Sequence, residues 1–205
     1  MPESMSSIEI HMATPDDVYW IADKEKEVYK SNPLDVMPLN LIQSWYRKNP
    51  ACFWIIKRAG EETIGNIYVF PLKSDALEKL IRGEIFERDI RPADIYSRRE
   101  SDKITSLHIC SLVCPDSSEG TVQFMRNLPR LFENICGPGQ LEYIYALSAS
   151  PGGDNLLKRN GFSVVDNGTG RKDGHPFYSM KYKYLLARLN QRFSNEKPSK
   201  LTASI

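Results

Sequence analysis

The sequence predicts one mixed α/β domain. First, β-rich runs and segments of helical period alternate in the order β-α-α-β-β-(α)-β-α-β-α-β-β, with no internal repeat and no domain-sized linker. Second, two early strands are joined by a short Gly-containing turn, Ala59-Gly60-Glu61-Glu62, which demands antiparallel pairing. Third, a strand–helix–strand unit in the middle of the chain calls for a crossover and a mixed sheet. At 205 residues and 41% hydrophobic, the chain is long enough for one proper core.

The elements follow in order. Ile8 to Met12 alternates apolar and polar residues, a strand with one buried face. Thr14 is a natural N-cap and Pro15 suits a first helical position, so a helix carries Val18, Ile21, Ala22, Glu25 and Val28 until Ser31-Asn32-Pro33 stops it. A second helix is predicted from Leu39 to Arg47. The hairpin strands are Cys52–Lys57 and Thr63–Phe70. A helix from Lys73 to Arg82 precedes the charged stretch 83–103, which reads as a solvated, mobile loop or lid. Ile104 to Cys114 is the most strand-like run and is expected to be central. A helix from Thr121 to Ile135 contains Pro129. Leu141–Leu147 is a strand, Pro151–Asn160 a helix closed by a left-handed Gly161, and Ser163–Val165 and Phe177–Tyr184 are the last strands. The tail from Leu185 is expected to be a short helix and then disordered, as is the N-terminus before Ile8.

Composition narrows the function classes. Net charge is +1, which gives no global attraction to nucleic acid or anionic lipid. The tail is locally basic; a solubilising tail is the preferred reading over contact with nucleic acid or an acidic partner. No apolar run approaches the roughly 20 residues of a membrane span, and the first residues show no secretory pattern. The four cysteines form no CxxC pair, so reduced thiols in the cytoplasm are expected.

Three stretches resemble the GNAT superfamily of acyl-CoA-dependent N-acyltransferases. They are Ile8-Glu-Ile-His-Met-Ala-Thr-Pro-Asp-Asp17, Leu112-Val113-Cys114-Pro115, and Gly153-Asp-Asn-Leu-Leu-Lys-Arg-Asn-Gly-Phe162. The run Lys79–Ile90 is also similar to an insert of some bacterial members. The likeness covers Ile8 to Tyr184 and implies the family's fold: a bent mixed sheet in which the fourth strand splays from the fifth. It also implies acetyl-CoA as cosubstrate, paired along the fourth strand, with its pyrophosphate at the following helix N-terminus. Carried onto this chain, the cosubstrate residues are Ser111, Leu112, Val113, Ser117, Ser118, Gly120, Thr121 and Asn155. The chain departs from the family's Arg-x-x-Gly-x-Gly/Ala loop. Ser118 stands for the Arg, Thr121 and Gln123 for the glycines, and Glu119 adds a negative charge. Where many members have a Tyr that protonates the leaving thiolate, this chain has Leu157. Tyr143, Tyr145 or a water remain as alternatives.

A base must take a proton from the attacking ammonium. His108, on the predicted central strand, is the first candidate, against the alternative of a packed strand histidine. Glu84, Glu87 and Asp89 of the charged stretch are the next, with Glu84 preferred, against a solvated loop. His108, Cys110 and Cys114 share strand parity, but one strand rarely supplies three zinc ligands and no fourth is evident, so no metal is expected. The reading is an N-acetyltransferase acting on an unidentified small-molecule or peptide amine, with His108, Glu84 and Tyr145 in the chemistry and a homodimer left open. The competing reading is a non-catalytic GNAT-like binding or regulatory module.

Overall fold

The computed structural model describes residues 8–30, 32–58, 62–114, 118–193 and 201–202. The flexible termini expected before Ile8 and beyond Phe193 lie mostly outside these residues. The described chain forms a mixed sheet of β1 (Ile8–Met12), β2 (Phe53–Arg58), β3 (Glu62–Phe70), β4 (Ser106–Val113), β5 (Tyr143–Leu147), β6 (Ser163–Asp166), β7 (Phe177–Lys181) and β8 (Leu201–Thr202). The order is β6-β7-β5-β4-β3-β2-β1-β8. β1 through β4 pair antiparallel in sequence order, β4 and β5 pair parallel, and β7 returns antiparallel beside β5. The two residues of β8 pair parallel to Ile10 and His11 of β1.

Among the described residues six α-helices cover the sheet: α1 (Asp17–Val28), α2 (Leu39–Lys48), α3 (Ser74–Ile81), α4 (Ser118–Cys136), α5 (Pro151–Arg159) and α6 (Tyr182–Phe193). Thr14 and Asp17 cap α1 reciprocally. The Thr14 N–H and hydroxyl donate to the Asp17 carboxylate at 2.8 and 2.7 Å, and the Asp17 N–H donates back at 3.3 Å. α2 lays Trp45 on the sheet, where its ring meets Phe70 edge-on at 4.9 Å, beside the stacked pair Phe53 and Tyr68 at 5.2 Å. The Trp45 indole N–H donates to the Ile90 carbonyl at 2.8 Å, so this large ring is buried with its polar atom satisfied. The buried apolar side chains form one cluster running from Ile8 to Leu189.

The stretch 83–103 departs from the expected mobile loop. It is a chain of 3-10 turns at Glu87–Asp89, Pro92–Asp94 and Arg98–Lys103. In each, an acidic side chain accepts from the backbone N–H three residues earlier: Asp89 from Phe86 at 2.9 Å, Asp94 from Arg91 at 2.8 Å, and Glu100 from Ser97 at 3.0 Å. Between the turns, Ile90 and Ile95 are buried without exposure. The charges thus close turns while the isoleucines anchor them. α6 begins at Tyr182, three residues earlier than expected, because β7 stops once its pairing with β5 is used up at Lys181↔Tyr143. Gly161 closes α5 at φ +83°, the left-handed position that favours glycine.

Candidate functional site

β4 and β5 are paired only from Ser106↔Tyr143 to Ile109↔Ala146. Beyond that point β4 continues to Val113, held by β3 on one side and with no β5 partner on the other. The parting coincides with a bulge. Tyr68 faces Ser111 and Val69 faces Ile109, so Cys110 is the extra residue. Gly65 on β3 makes room for the departing strand: a Cβ there would sit 2.6 Å from Cys114 Sγ and 2.8 Å from the Val113 carbonyl. The parted strands open a cavity of about 550 Å³.

One wall of the cavity comes from the end of β4, α4, the loop after β5 and α5: Ser111, Leu112, Cys114, Thr121, Ser148 and Asn155. α5 is set by its cap, Ser150, whose hydroxyl accepts the Gly153 N–H at 3.1 Å, and by the Tyr178 hydroxyl, which donates to Asp154. The opposite part is acidic and aromatic. It brings together Glu25 and Tyr29 from α1, Asp35 and Met37 from the following loop, Tyr68 from β3 and Glu87 from the first 3-10 turn.

Glu25 is the unusual group. It is 1% exposed, and neither carboxylate oxygen completes a hydrogen bond within the protein. Burial pushes its carboxyl up to about 7, opposed only in part by the nearby hydroxyls of Ser111 and Tyr68 and reinforced by the charge of Glu87. The same surroundings hold the Tyr29 and Tyr68 phenols and the Cys110 thiol protonated: burial raises each, and the carboxylates raise them further. Asp35 accepts from His175 at 3.0 Å, and that hydrogen bond raises the imidazole against its burial.

The residues expected from sequence divide. Ser111, Leu112, Thr121 and Asn155 line the cavity, whereas Val113 and Gly120 are buried outside its lining. Ser118 opens α4, and Ser117 lies outside the described residues. His108 is fully buried and does not line the cavity. Its Nε2 lies 2.5 Å from Glu87 Oε1, and its ring stacks on Phe177 at 5.7 Å. The group that faces the cavity is therefore Glu87, with His108 behind it. Glu84 is not at the site; it is half exposed and pairs with Arg82 at 2.8 Å. Tyr145 stands opposite His108 in register, but it packs 6.0 Å from Phe177 and does not line the cavity. Ala146 and Leu147, further along β5 where β4 has parted from it, line the opening instead.

Ligand atoms of Glu87, His108 and Cys110 lie within 4.8 Å of one another, the one such group among the described residues. The 2.5 Å approach of nitrogen to oxygen is hydrogen-bond geometry, shorter than the roughly 3.3 Å between two ligands about 2.1 Å from one tetrahedral zinc. Cys114 is not part of the group: at roughly 3.3 Å per residue it lies about 13 Å along the chain from Cys110.

Sequence reasoning passed over Glu25, Asp35 and Tyr68. For Glu25 a signal existed. It falls on the apolar stripe of Val18, Ile21 and Ala22, where a carboxylate contradicts the pattern of a core-facing helix.

By sequence, no family profile and no curated protein matches the chain. Solved structures do match. The loading GNATL domain of CurA from Lyngbya majuscula aligns at TM-score 0.61 with 12% identity, covering 86% of this chain and 98% of that domain. A GNAT-family acetyltransferase from Listeria monocytogenes aligns at 0.54 with 12% identity, covering 85% and 94%. An aminoglycoside acetyltransferase in complex with coenzyme A aligns at 0.51 with 13% identity, covering 88% and 98%. The fold is that of the GNAT acetyltransferases. No helix among the described residues is long and apolar enough to cross a membrane.

Proposed function

We propose that the protein is an N-acyltransferase that moves an acetyl group from acetyl-CoA to an amine. The observation that carries this reading is the parting of β4 from β5 at Ile109, with a cavity in the gap that is acidic on one wall and carries hydroxyl, amide and arginine side chains on the other. The β4 backbone from Cys110 to Val113 has no strand partner on the β5 side, so an extended pantetheine arm can pair there as an added strand. The following helix α4 aims its N-terminal end, the positive end of its dipole, at the phosphates. Asn155 of α5 borders the same slot. The thioester then lies near the Cys110 bulge, between this slot and the acidic wall. The solved neighbour that holds coenzyme A supports a ligand of this class.

In the transfer, the amine nitrogen attacks the thioester carbonyl carbon, the C–N bond forms and the C–S bond breaks. The Glu87 carboxylate, hydrogen-bonded to His108, keeps the negative charge at the cavity wall fixed in place. The thiolate takes its proton from the attacking nitrogen, directly or through water, since Leu157 stands where a tyrosine would otherwise donate it and Tyr145 is outside the cavity. The four cysteines are free, in keeping with a reducing cytoplasm.

A specific observation favours the second reading, a non-catalytic binding module: Glu119 sits exposed in the first turn of α4, and no loop arginine is present to offset it. Incubation with acetyl-CoA and a panel of primary amines, followed by mass spectrometry, separates the two. Acetylated amine together with free CoA supports the transferase. No binding of CoA at millimolar ligand, with no turnover of any amine, supports the module.

A further inference from the structure

We infer that Glu25 is the counter-ion and proton acceptor for the acceptor amine, and that the acceptor is a small primary amine that arrives as a cation. The inference deepens the proposed function and rests on it for the transfer step; the cation-binding step stands by itself.

The geometry makes the case. A carboxylate that is 1% exposed, with only the hydroxyls of Ser111 and Tyr68 near it and no close hydrogen bond completed, is a weakly supported buried acid, an arrangement that persists only where something offsets it. Glu25 lines the cavity, as does Tyr68, whose equally buried hydroxyl stands beside the Glu25 carboxylate without closing to a full hydrogen bond. The groups around Glu25 are Tyr29 on its own helix, Asp35 on the following loop, Tyr68 on β3, Cys110 and Ser111 on β4, and Glu87 with His108 behind it. Apart from His108, which is engaged by Glu87, every one is neutral or acidic. The two arginines on the cavity lining, Arg159 and Arg192, belong to α5 and α6 and are not among the groups that act on Glu25. This end of the cavity, around Glu25, attracts an ammonium and disfavours an anion. Ser111, which faces Glu25, is the first residue past the bulge where the thioester is expected, so one ligand can touch Glu25 with its nitrogen and lie within reach of the acyl carbon.

The step balances as follows. The bound R–NH3+ gives one proton to the Glu25 carboxylate and becomes R–NH2. Its lone pair attacks the carbonyl carbon, and the C–S bond breaks. The nitrogen's second proton goes to the leaving thiolate, giving the CoA thiol, and its third remains on the amide. Glu25 releases its proton to solvent before the next cycle. An acid poised near neutral pH is suited to both halves of that exchange.

The test is calorimetric titration of the full chain with 1,4-diaminobutane, and with 1-butanol as its neutral counterpart, at pH 7 in two buffers of different ionisation enthalpy. Wild type binds the amine, does not bind the alcohol, and releases about half a proton per amine as the half-protonated Glu25 ionises. In Glu25→Gln the affinity falls at least about tenfold, as for loss of a buried charge-assisted hydrogen bond, and the proton release disappears. Glu25→Leu gives the same loss without leaving a buried amide, and near-ultraviolet circular dichroism confirms that both variants fold. Amine affinity and proton release unchanged in both variants would overturn the inference, as would equal binding of the alcohol or no binding of the amine to wild type. CoA titrated separately keeps the two readings apart: amine binding through Glu25 without CoA binding sinks the transferase and leaves this inference standing.

Discussion

Glu25→Gln should stabilise the protein, and should do so only at neutral and alkaline pH. Burial raises this carboxyl from 4.5 to about 7. The unfolded chain therefore ionises Glu25 at lower pH than the folded chain does. Between these values the folded state binds more protons, so stability falls as pH rises from about 4.5 and levels off above about 7. The shift corresponds to about 3 kcal/mol of lost stability at pH 8. Glutamine cannot ionise and escapes that loss, although its buried amide carries a constant cost of about 1–3 kcal/mol. The constant cost cancels when the two proteins are compared at two pH values. About 1 kcal/mol of the loss is already present at pH 5, and for a domain of this length 1 kcal/mol moves Tm by roughly 2–4 °C, so the Tm difference, variant minus wild type, should be larger at pH 8 than at pH 5 by roughly 5–10 °C. Melts followed by far-ultraviolet circular dichroism, without ligand, read it directly. A Tm difference that is the same at both pH values, or one that moves against the variant at pH 8, would refute the reasoning, because it would mean that Glu25 is not held near neutrality in the folded state.

Three further outcomes follow from the same structure. Glu119→Gln removes a carboxylate from the first turn of α4 and should tighten CoA binding by about fivefold at low salt, with the gain shrinking as salt rises; an unchanged affinity by calorimetry would mean that the phosphates do not sit there. Gly65→Ala places a Cβ 2.6 Å from Cys114 Sγ, where the far end of β4 passes β3, and should cost about 1–3 kcal/mol in denaturant unfolding while weakening CoA binding; a variant that matches wild type in both would show that this close approach is not needed. Asp35→Asn should lower the His175 pKa, read by NMR titration of the ring protons, since the Asp35 hydrogen bond is the main cause raising it. The pair's stabilisation is complete below the imidazole's ordinary 6.5 and disappears as pH rises through the folded value, so the variant should lose more stability at pH 5 than at pH 9.

Much of the fold was legible because its signals are local. The hairpin of β2 and β3, the strand–helix–strand crossing from β4 to β5 and the Gly161 stop each depend on residues close in sequence. The stretch 83–103 was misread for a physical reason. Its acids close their own turns, a use of charge that composition cannot tell from solvation, and its anchors Ile90 and Ile95 are too few to show a period. That Ser111, Leu112, Thr121 and Asn155 share one cavity wall was legible, since that wall follows one strand and the helices after it. The acidic wall was not, because Glu25, Asp35, Tyr68 and Glu87 come from four separate segments and meet only when the sheet is assembled. His108 shows the limit of strand parity: the bulge at Cys110 and the turn carrying Glu87 decide what it touches, and neither is visible in an alternation of residues.

The central claim is that the gap between β4 and β5 receives acyl-CoA. Calorimetric titration of acetyl-CoA into the wild-type chain, paired with Leu112→Pro, tests it most directly. Proline at that position, which lines the gap, removes a backbone N–H and closes the strand to an added partner. The account predicts one acetyl-CoA per chain with micromolar affinity in wild type, and loss of that binding in the variant while circular dichroism still reports a folded protein. Absence of binding to wild type at millimolar acetyl-CoA would contradict it, and so would binding that Leu112→Pro leaves intact.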